Sequence, residues 1–322
     1  MILILSDHDD HSTNIVIDWL KHFNAPYLRI NEIDKLKIKA IQLKDSDWDV
    51  QIEYGAQVVR FDDITSFWYR RGNFSFELPL FQAETTIQYR ENLESTLKHE
   101  TVILKYLLHF LLKKKRSLGN YNDIKVNKLI NLHIAASCGL KVPQTLISSS
   151  KNQIADFLSE KKCITKPISE VFFISDSTYS GIAYTSLVEE QHLKEKDDLF
   201  FPSLVQENIE KKYELRIFYL NGKCYSMAIF SQLDRQTVVD FRNYNVERPN
   251  RGIPFVLPNE ILTKVKKFMA EIELISGSID MIVDVNNNYY FLEVNPVGQF
   301  GMVSTPCNYF LEKKLAKFLC QE

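Results

Sequence analysis

The sequence predicts a mixed α/β protein of two or three domains, and three observations carry that reading. Signals for short apolar strands alternate with signals for amphipathic helices, as in layered α/β architectures. The chain has 322 residues with 45% hydrophobic content, enough to bury a large core and more than one ordinary domain needs. Near its end, Ser278 to Pro296 alternates in two runs around Asn286-Asn287 and reads as a hairpin with acids on one face.

The elements follow in order. Met1 to Leu5 is a short buried strand, and Ser12 or Thr13 is placed to cap a helix carrying Ile15, Val16, Trp19 and Leu20. Pro26 to Ile30, Lys37 to Leu43, Trp48 to Glu53 and Ile64 to Tyr69 read as strands. Glu84 to Lys115 lacks Gly and Pro and suits a long helix, with Leu93, Leu97, Leu104, Leu107, Leu108 and Leu111 along its apolar side. The basic run Lys113 to Arg116 is its solvated C-terminus. A boundary is expected within Ser117 to Asp123. A helix begins at Asn127-Lys128, with apolar positions 129, 132 and 136, and Gly139 closes it in the left-handed conformation. A strand starts at Val142-Pro143. Cys163 to Pro167 is a strand ending in Lys166, followed by a Ser-rich stretch to Gly181. Leu204 to Ile209 and Glu214 to Tyr219 are strands, the second entering a turn at Asn221-Gly222, and a helix runs from Asn259 through Ile272. The division expected is 1–118, 119–202 and 203–322.

Composition excludes several classes. A net charge of −2 offers no global electrostatic case for nucleic acid or an acidic membrane. The longest apolar stretch, Ile103 to Leu112, is interrupted by Lys105, Tyr106 and His109 and is too short to span a bilayer. The start, Met1-Ile2-Leu3-Ile4-Leu5, has no basic lead-in, so no signal peptide is expected and a cytoplasmic setting is. Cys138, Cys163, Cys224, Cys307 and Cys320 are widely spaced and read as packed thiols. Asp7-His8-Asp9-Asp10-His11 has metal-ligand residue types but lies between a strand and a helix, where a polar turn is expected.

In the terminal hairpin, a two-residue Asn286-Asn287 turn pairs Val285 with Asn288 and sets Asp280 opposite Glu293, with Asn295 two residues on along the same face. Ile279, Met281, Val283, Leu292 and Val294 then fill the other face. Facing carboxylates repel unless a cation lies between them, and two acids with one amide suit Mg²⁺. Read alone, the same pattern fits a surface hairpin whose acids splay into solvent.

The order of features from about residue 120 to 300 resembles the ATP-grasp superfamily, and in particular the ribosomal-protein glutamate ligases. The resemblance is carried by Asn127-Lys128, Lys166-Pro167, Gln206-Glu207-Asn208-Ile209, Glu214-x-Arg216, Asp240-x-Arg242 and Glu293-x-Asn295. Closer features resemble the graspetide ligases of the microviridin and grasp-with-spasm type: the opening Ile-Leu-Ile-Leu-Ser, Trp68-Tyr69-Arg70-Arg71, and Gly298-Gln299-Phe300. One departure is the loop after Lys166, which has no glycine from 169 to 180, though Ser175, Ser177 and Ser180 offer donors there.

The resemblance implies an ATP-grasp fold, an N-terminal α/β domain followed by a nucleotide site between two antiparallel-sheet subdomains. It implies ATP and Mg²⁺ as cofactors. Lys128 and Lys166 would hold phosphates, Gln206, Glu207, Asn208 and Ile209 the adenine, and Glu214 the ribose. Asp280, Glu293 and Asn295 would hold the metal. Arg216 and Arg242 would clamp the transferring phosphoryl group, because planar guanidinium groups match its oxygens in pairs. The implied reaction activates Asp or Glu side chains of a ribosomal precursor peptide, with a leader and an acidic core, and joins them to Ser/Thr hydroxyls or Lys amines. Arg70, Arg71, Arg235, Arg248 and Arg251 are candidate partners for that acidic core. No covalent enzyme nucleophile is required. Nucleic acid and membrane are not expected partners, and a homodimer stays open. Two other readings also stay open: a ligase adding free amino acids to a protein or small peptide, and a non-catalytic nucleotide-binding module.

Overall fold

The computed structural model describes residues 1–77, 86–119, 121, 127–169, 173–175, 180–182, 185–194, 197–234, 237–243 and 245–321. Arg235, Ser177 and the side chains of Ser175 and Ser180 lie outside them. The chain divides into two compact units, Met1–Ile124 with Phe310–Glu322, and Lys125–Tyr309.

In the first unit, four parallel strands lie in the order Tyr27–Asn31, Ile2–Ser6, Ser66–Tyr69, Arg116–Leu118. The Ile2–Ser6 strand is buried along its length, as its unbroken apolar run requires. A second sheet orders Gln57–Arg60, Asp47–Tyr54, Lys35–Lys44 and Ser75–Phe76. Helix His11–His22 is capped by Asp10, not by Ser12 or Thr13: its carboxylate accepts from the Thr13 backbone N–H at 3.1 Å, and Thr13 is buried instead. The His/Asp cluster at 7–11 is thus a turn and a cap. The long helix spans Ile87–Lys113 from a Thr86 cap, with Leu108, His109 and Leu112 buried and the expected leucine stripe half-buried.

The last helix, Leu311–Cys320, belongs with this unit, whereas the sequence reading grouped it with residues 203–322. Leu311, Leu315, Ala316 and Leu319 form its buried stripe, the Ser66 hydroxyl donates to Leu319 O at 2.7 Å, and the Lys313 ammonium lies 4.6 Å from the Trp19 ring. Such long-range partners have no signature in local periodicity.

The second unit contains two antiparallel sheets. One orders Ser186–Val188, Cys163–Thr165, Leu199–Glu207 and Thr145–Ser150. The other orders Arg251–Phe255, Lys223–Phe230, Lys211–Leu220, Ser276–Asp284 and Tyr289–Asn295. Asn208 to Glu210 link the first sheet to the second. Asn221 and Gly222, both at positive φ, make the tight turn expected of them. Behind the five-stranded sheet, helix Asn259–Glu271 packs Val265, Phe268 and Met269 against Leu215, Ile217, Ile279, Met281, Val283, Phe291 and Val294. Helix Lys128–Ser137 adds Leu132 and Ala135; position 136 is exposed and 135 takes its expected place. No described helix is long and apolar enough to cross a membrane.

The terminal hairpin corrects the expected turn and face. Asp284 N donates to Asn288 O at 3.0 Å, so Val285, Asn286 and Asn287 form a three-residue connection with Asn287 at φ 63°. A bulge then doubles Phe291 and Leu292 against Met281, and the two one-residue offsets cancel. Asp280 therefore still faces Glu293, as expected. Leu292 leaves the core side, where Phe291 takes its place, fully buried with its ring 4.8 Å from Phe268. Phe291→Ala is expected to cost about 3–5 kcal/mol, and Leu292→Ala less than about 1.5 kcal/mol, as read from urea unfolding; equal losses would contradict the bulged register.

Candidate active site

The site is built on the three strands that share this core. Arg216 on Lys211–Leu220 pairs with Asp280 on Ser276–Asp284, and Asp280 pairs with Glu293 on Tyr289–Asn295, so the three side chains form one row on the face opposite the core. Glu214 and Ile282 sit two residues along the same face. Asp280, Glu293, Glu214 and Ile282 line a cleft with Ile164 and Gln206 of the other sheet, and with Lys128, Lys166, Asp240 and Arg242. A second bulge, at Lys212, brings Lys211 to the same face as Glu214, which a three-residue spacing in a regular strand would not allow.

Asp280, Glu293, Asp240 and Glu214 each have a cationic partner. Arg216 Nη1 donates to both oxygens of Asp280 at 2.6 and 2.5 Å. Lys128 Nζ lies 3.1 Å from Glu293 Oε2, and Arg242 Nη1 lies 3.8 Å from Glu293 Oε1. Arg242 is also bidentate to Asp240 at 2.9 and 2.8 Å. Buried Glu214 accepts from Lys211 at 2.5 Å and from the Ser231 hydroxyl at 2.8 Å. Lys166, just beyond the Cys163–Thr165 strand, has no ion pair within 4 Å among the described residues.

These surroundings drive the acids apart. Burial pushes Asp280 above the usual carboxylate range and the Glu293 charge adds to this, while Arg216 pulls down. Burial also acts on Glu293, but Lys128, Lys166 and Arg242 together hold it below that range. Burial lowers the Lys166 ammonium, helped by Lys128 and Arg242 and resisted by Glu293 and Asp280. Burial raises Glu214 despite Lys211 and Ser231.

At the other end of the cleft Gln206 is fully buried. Its amide nitrogen donates to Thr145 Oγ1 at 2.8 Å, and Thr145 donates its own proton to Pro143 O at 3.0 Å. Thr145 can therefore only accept from Gln206, which fixes the amide orientation. Gln206 Oε1 is left buried without a partner among the described residues. Glu207 Oε2 accepts from Gln144 N at 3.2 Å, Asn208 N donates to Lys162 O at 2.9 Å, and Ile209 lines the cleft.

The remaining expected residues are less uniform. Asn295 is exposed, and its Oδ1 accepts from Gly298 N at 3.1 Å in a local turn. Arg70 does not fit the role of a surface partner for a peptide: it is 4% exposed, with Nε 2.9 Å from Asp10. Arg71, Arg248 and Arg251 are exposed. Sequence reasoning missed Lys211 and Leu292 as cleft residues, because both reach it through bulges that alternation does not signal, and left Asp240 without a role.

No protein-family model matches the chain, and no curated protein matches it. Solved structures do. A RiPP-associated ATP-grasp ligase of Chryseobacterium gregarium, in complex with ADP and a leader and core peptide, aligns at TM-score 0.83 and 25% identity over 99% of this chain and 96% of its own. Macrocyclase MdnC of Microcystis aeruginosa, bound with precursor peptide MdnA, aligns at TM-score 0.78 and 27% identity over 99% of both chains. The ATP-grasp ligase PsnB, complexed with a phosphomimetic precursor variant, Mg and ADP, shares the fold at TM-score 0.68 and 16% identity over 99% of this chain and 97% of its own. The chain has the ATP-grasp fold and is an ATP-dependent ligase of that class. Within it, the similarity runs over the full length to ligases of ribosomal precursor peptides, as the motifs led one to expect.

Arg242 holds Asp240 below the usual carboxylate range although burial opposes it. A depressed acid contributes stability that is present above its ordinary value of 3.8 and is lost as pH falls through the folded value. Asp240→Asn should therefore lower the urea midpoint at pH 7, with the gap from the unsubstituted protein closing below about pH 4; a pH-independent gap would argue against this ion pair.

Proposed function

We propose that this chain activates Asp or Glu side chains of a ribosomal precursor peptide as acyl phosphates and closes them onto hydroxyls or amines of the same peptide. The observation that carries the reading is the Arg216–Asp280–Glu293 row, whose two carboxylates line a cleft between two sheets, in a chain similar throughout to ligases of such peptides.

ATP fits the cleft. Gln206 Oε1, without a partner among the described residues, is an acceptor suited to the adenine amino group, Glu214 would accept from ribose hydroxyls, and Lys128 and Lys166 would supply point charges for phosphates. Glu207, Asn208 and Ile209 form the edge beside the base. Mg²⁺ suits the donor set as well: Asp280 and Glu293 stand opposite each other, a repulsion that a cation between them would relieve, and Asn295, whose Oδ1 accepts from Gly298 N here, would be the third ligand. When bound, the metal neutralises charge on the β- and γ-phosphates.

The peptide carboxylate attacks the γ-phosphorus in line and ADP leaves. Arg216 and Arg242 stabilise charge on the transferring group. A hydroxyl or amine of the peptide, held in the same site, then attacks the acyl carbon and inorganic phosphate departs. Exposed Arg71, Arg248 and Arg251 offer positive partners to an acidic core. A cytoplasmic setting would supply ATP and Mg²⁺, and a homodimer is testable by sedimentation.

The test is intact mass spectrometry of a small acidic precursor, containing Ser, Thr or Lys and encoded beside this chain, after incubation with the protein, ATP and Mg²⁺. ATP-dependent loss of one water per link is expected. A gain matching added amino acids would instead establish a glutamate-ligase-like activity, and no ADP release with any acidic peptide would leave a binding module. Asp280→Ala and Glu293→Ala should each abolish turnover with far-UV circular dichroism unchanged; full activity in either would sink the metal assignment.

A further inference from the structure

Lys211 and Lys212 are neighbours in sequence with opposite surroundings. Lys212 is exposed, and its ammonium donates to Asn287 Oδ1 at 3.0 Å in the hairpin turn. Lys211, turned to the cleft by the bulge, is buried. Its ammonium donates to Glu214 Oε1 at 2.5 Å and to Val239 O at 3.1 Å. A buried ammonium has to be paired and hydrogen-bonded to offset its lost solvation, and these two acceptors meet that need.

The two acceptors belong to different parts of the proposed site. Glu214 is the acid that would receive the ribose hydroxyls, and Lys211 is the one described cation within 4 Å of it. The Ser231 hydroxyl is its other donor, at 2.8 Å to the same oxygen. Both take Oε1 and, among the described residues, none takes Oε2, which leaves that oxygen to a ligand in the cleft. Val239 immediately precedes Asp240, whose carboxylate accepts from the Arg242 backbone N–H at 3.0 Å as well as from its guanidinium. Residues 239–242 are therefore one braced turn, and all four line the cleft. Further back, buried Thr237 donates its hydroxyl to Ser231 O at 2.9 Å. Glu214 Oε1 thus meets both ends of the segment from Ser231 to Val239, through a hydroxyl at one end and an ammonium at the other.

We infer that Lys211 is a positioning residue that acts through two others: it fixes Glu214 for the ribose, and it fixes the backbone from which Arg242 reaches the transferring phosphoryl group. The inference rests on the ligase reading above and adds a residue to it. An ammonium suits the role because one atom carries three protons and serves a carboxylate and a carbonyl together. Without it Glu214 is a buried acid lacking a counter-ion, which takes up a proton or turns away, and either change spoils an acceptor for ribose hydroxyls. Val239 O also loses this donor, so the turn that aims Arg242 gains freedom, and small misplacements are costly to a step that depends on position.

The test measures ADP release against ATP concentration, with a precursor that supports it. Lys211→Met keeps the apolar stem and removes both bonds, so KM for ATP should rise and kcat fall, each on the order of tenfold. Lys211→Arg should restore most of both. Glu214→Gln removes the acid but leaves Lys211 on Val239 O, so it should raise KM on the order of tenfold with a smaller loss of kcat. Adding Lys211→Met to Glu214→Gln leaves no buried charge unpaired, which keeps the test open where the single variant does not fold. This double variant should lose roughly another tenfold in kcat without a further rise in KM, because both residues act on KM through one carboxylate. A lysine that only stabilises the fold would lower the urea midpoint and leave kcat and KM of the folded protein alone; that result would overturn the inference. A rise in KM with no added loss of kcat in the double variant would remove the link to Arg242 and overturn it as well. No ADP release by the unsubstituted protein with any acidic peptide would overturn the ligase reading and this inference with it.

Discussion

The site depends on one constraint: Asp280 is a carboxylate 8% exposed on an inner strand of a five-stranded sheet, with another carboxylate directly beside it. Removing such a charge from water is costly unless partners replace the lost solvation, and leaving it unpaired would be strongly destabilising. Arg216 meets that need from one neighbouring strand, and Lys128 with Arg242 meets it for Glu293. The row can exist only because the reverse face is a continuous apolar core that fixes the register of all three strands. A one-residue slip would send the charges into the core and the core into the cleft.

Two bulges enlarge what that register can deliver. In a regular strand alternate residues face the cleft, which limits the density of functional groups on one face. The extra residue at Lys212 sets Lys211 beside Glu214, and the extra residue at Leu292 adds an apolar side chain beside Glu293. The first gives a buried acid its counter-ion; the second adds an apolar wall next to the acids. Both irregularities lie at the cleft, where bulges commonly re-aim side chains.

Much of this was legible in the sequence because it follows from alternation. The pairing of Asp280 with Glu293, the helix start at Asn127, the Gly139 cap and the Asn221-Gly222 turn all rest on period or on backbone preferences local to a few residues. The expected turn at Asn286-Asn287 was one residue too short and Leu292 was placed on the wrong face, yet the acid pair came out right because the two offsets are equal and opposite. What was not legible is long-range. Arg70 reads as a surface arginine until Asp10 is brought to it across the sheet, and the last helix gives no local sign that it returns to the first unit. Both outcomes are decided by which distant partner packs there, and no window of adjacent residues carries that information.

The orientation of the ion pairs connects stability to the proposed chemistry. Asp280 and Glu293 would hold a divalent cation through oxygens that Arg216 and Lys128 hold here, and those two cationic side chains would then be available to phosphate and acyl oxygens. The charges that stabilise the buried acids would then be the ones the proposed reaction uses. Arg216 is on the central strand and lines a space next to the cleft, whereas Lys128, at the start of a helix, lines the cleft itself.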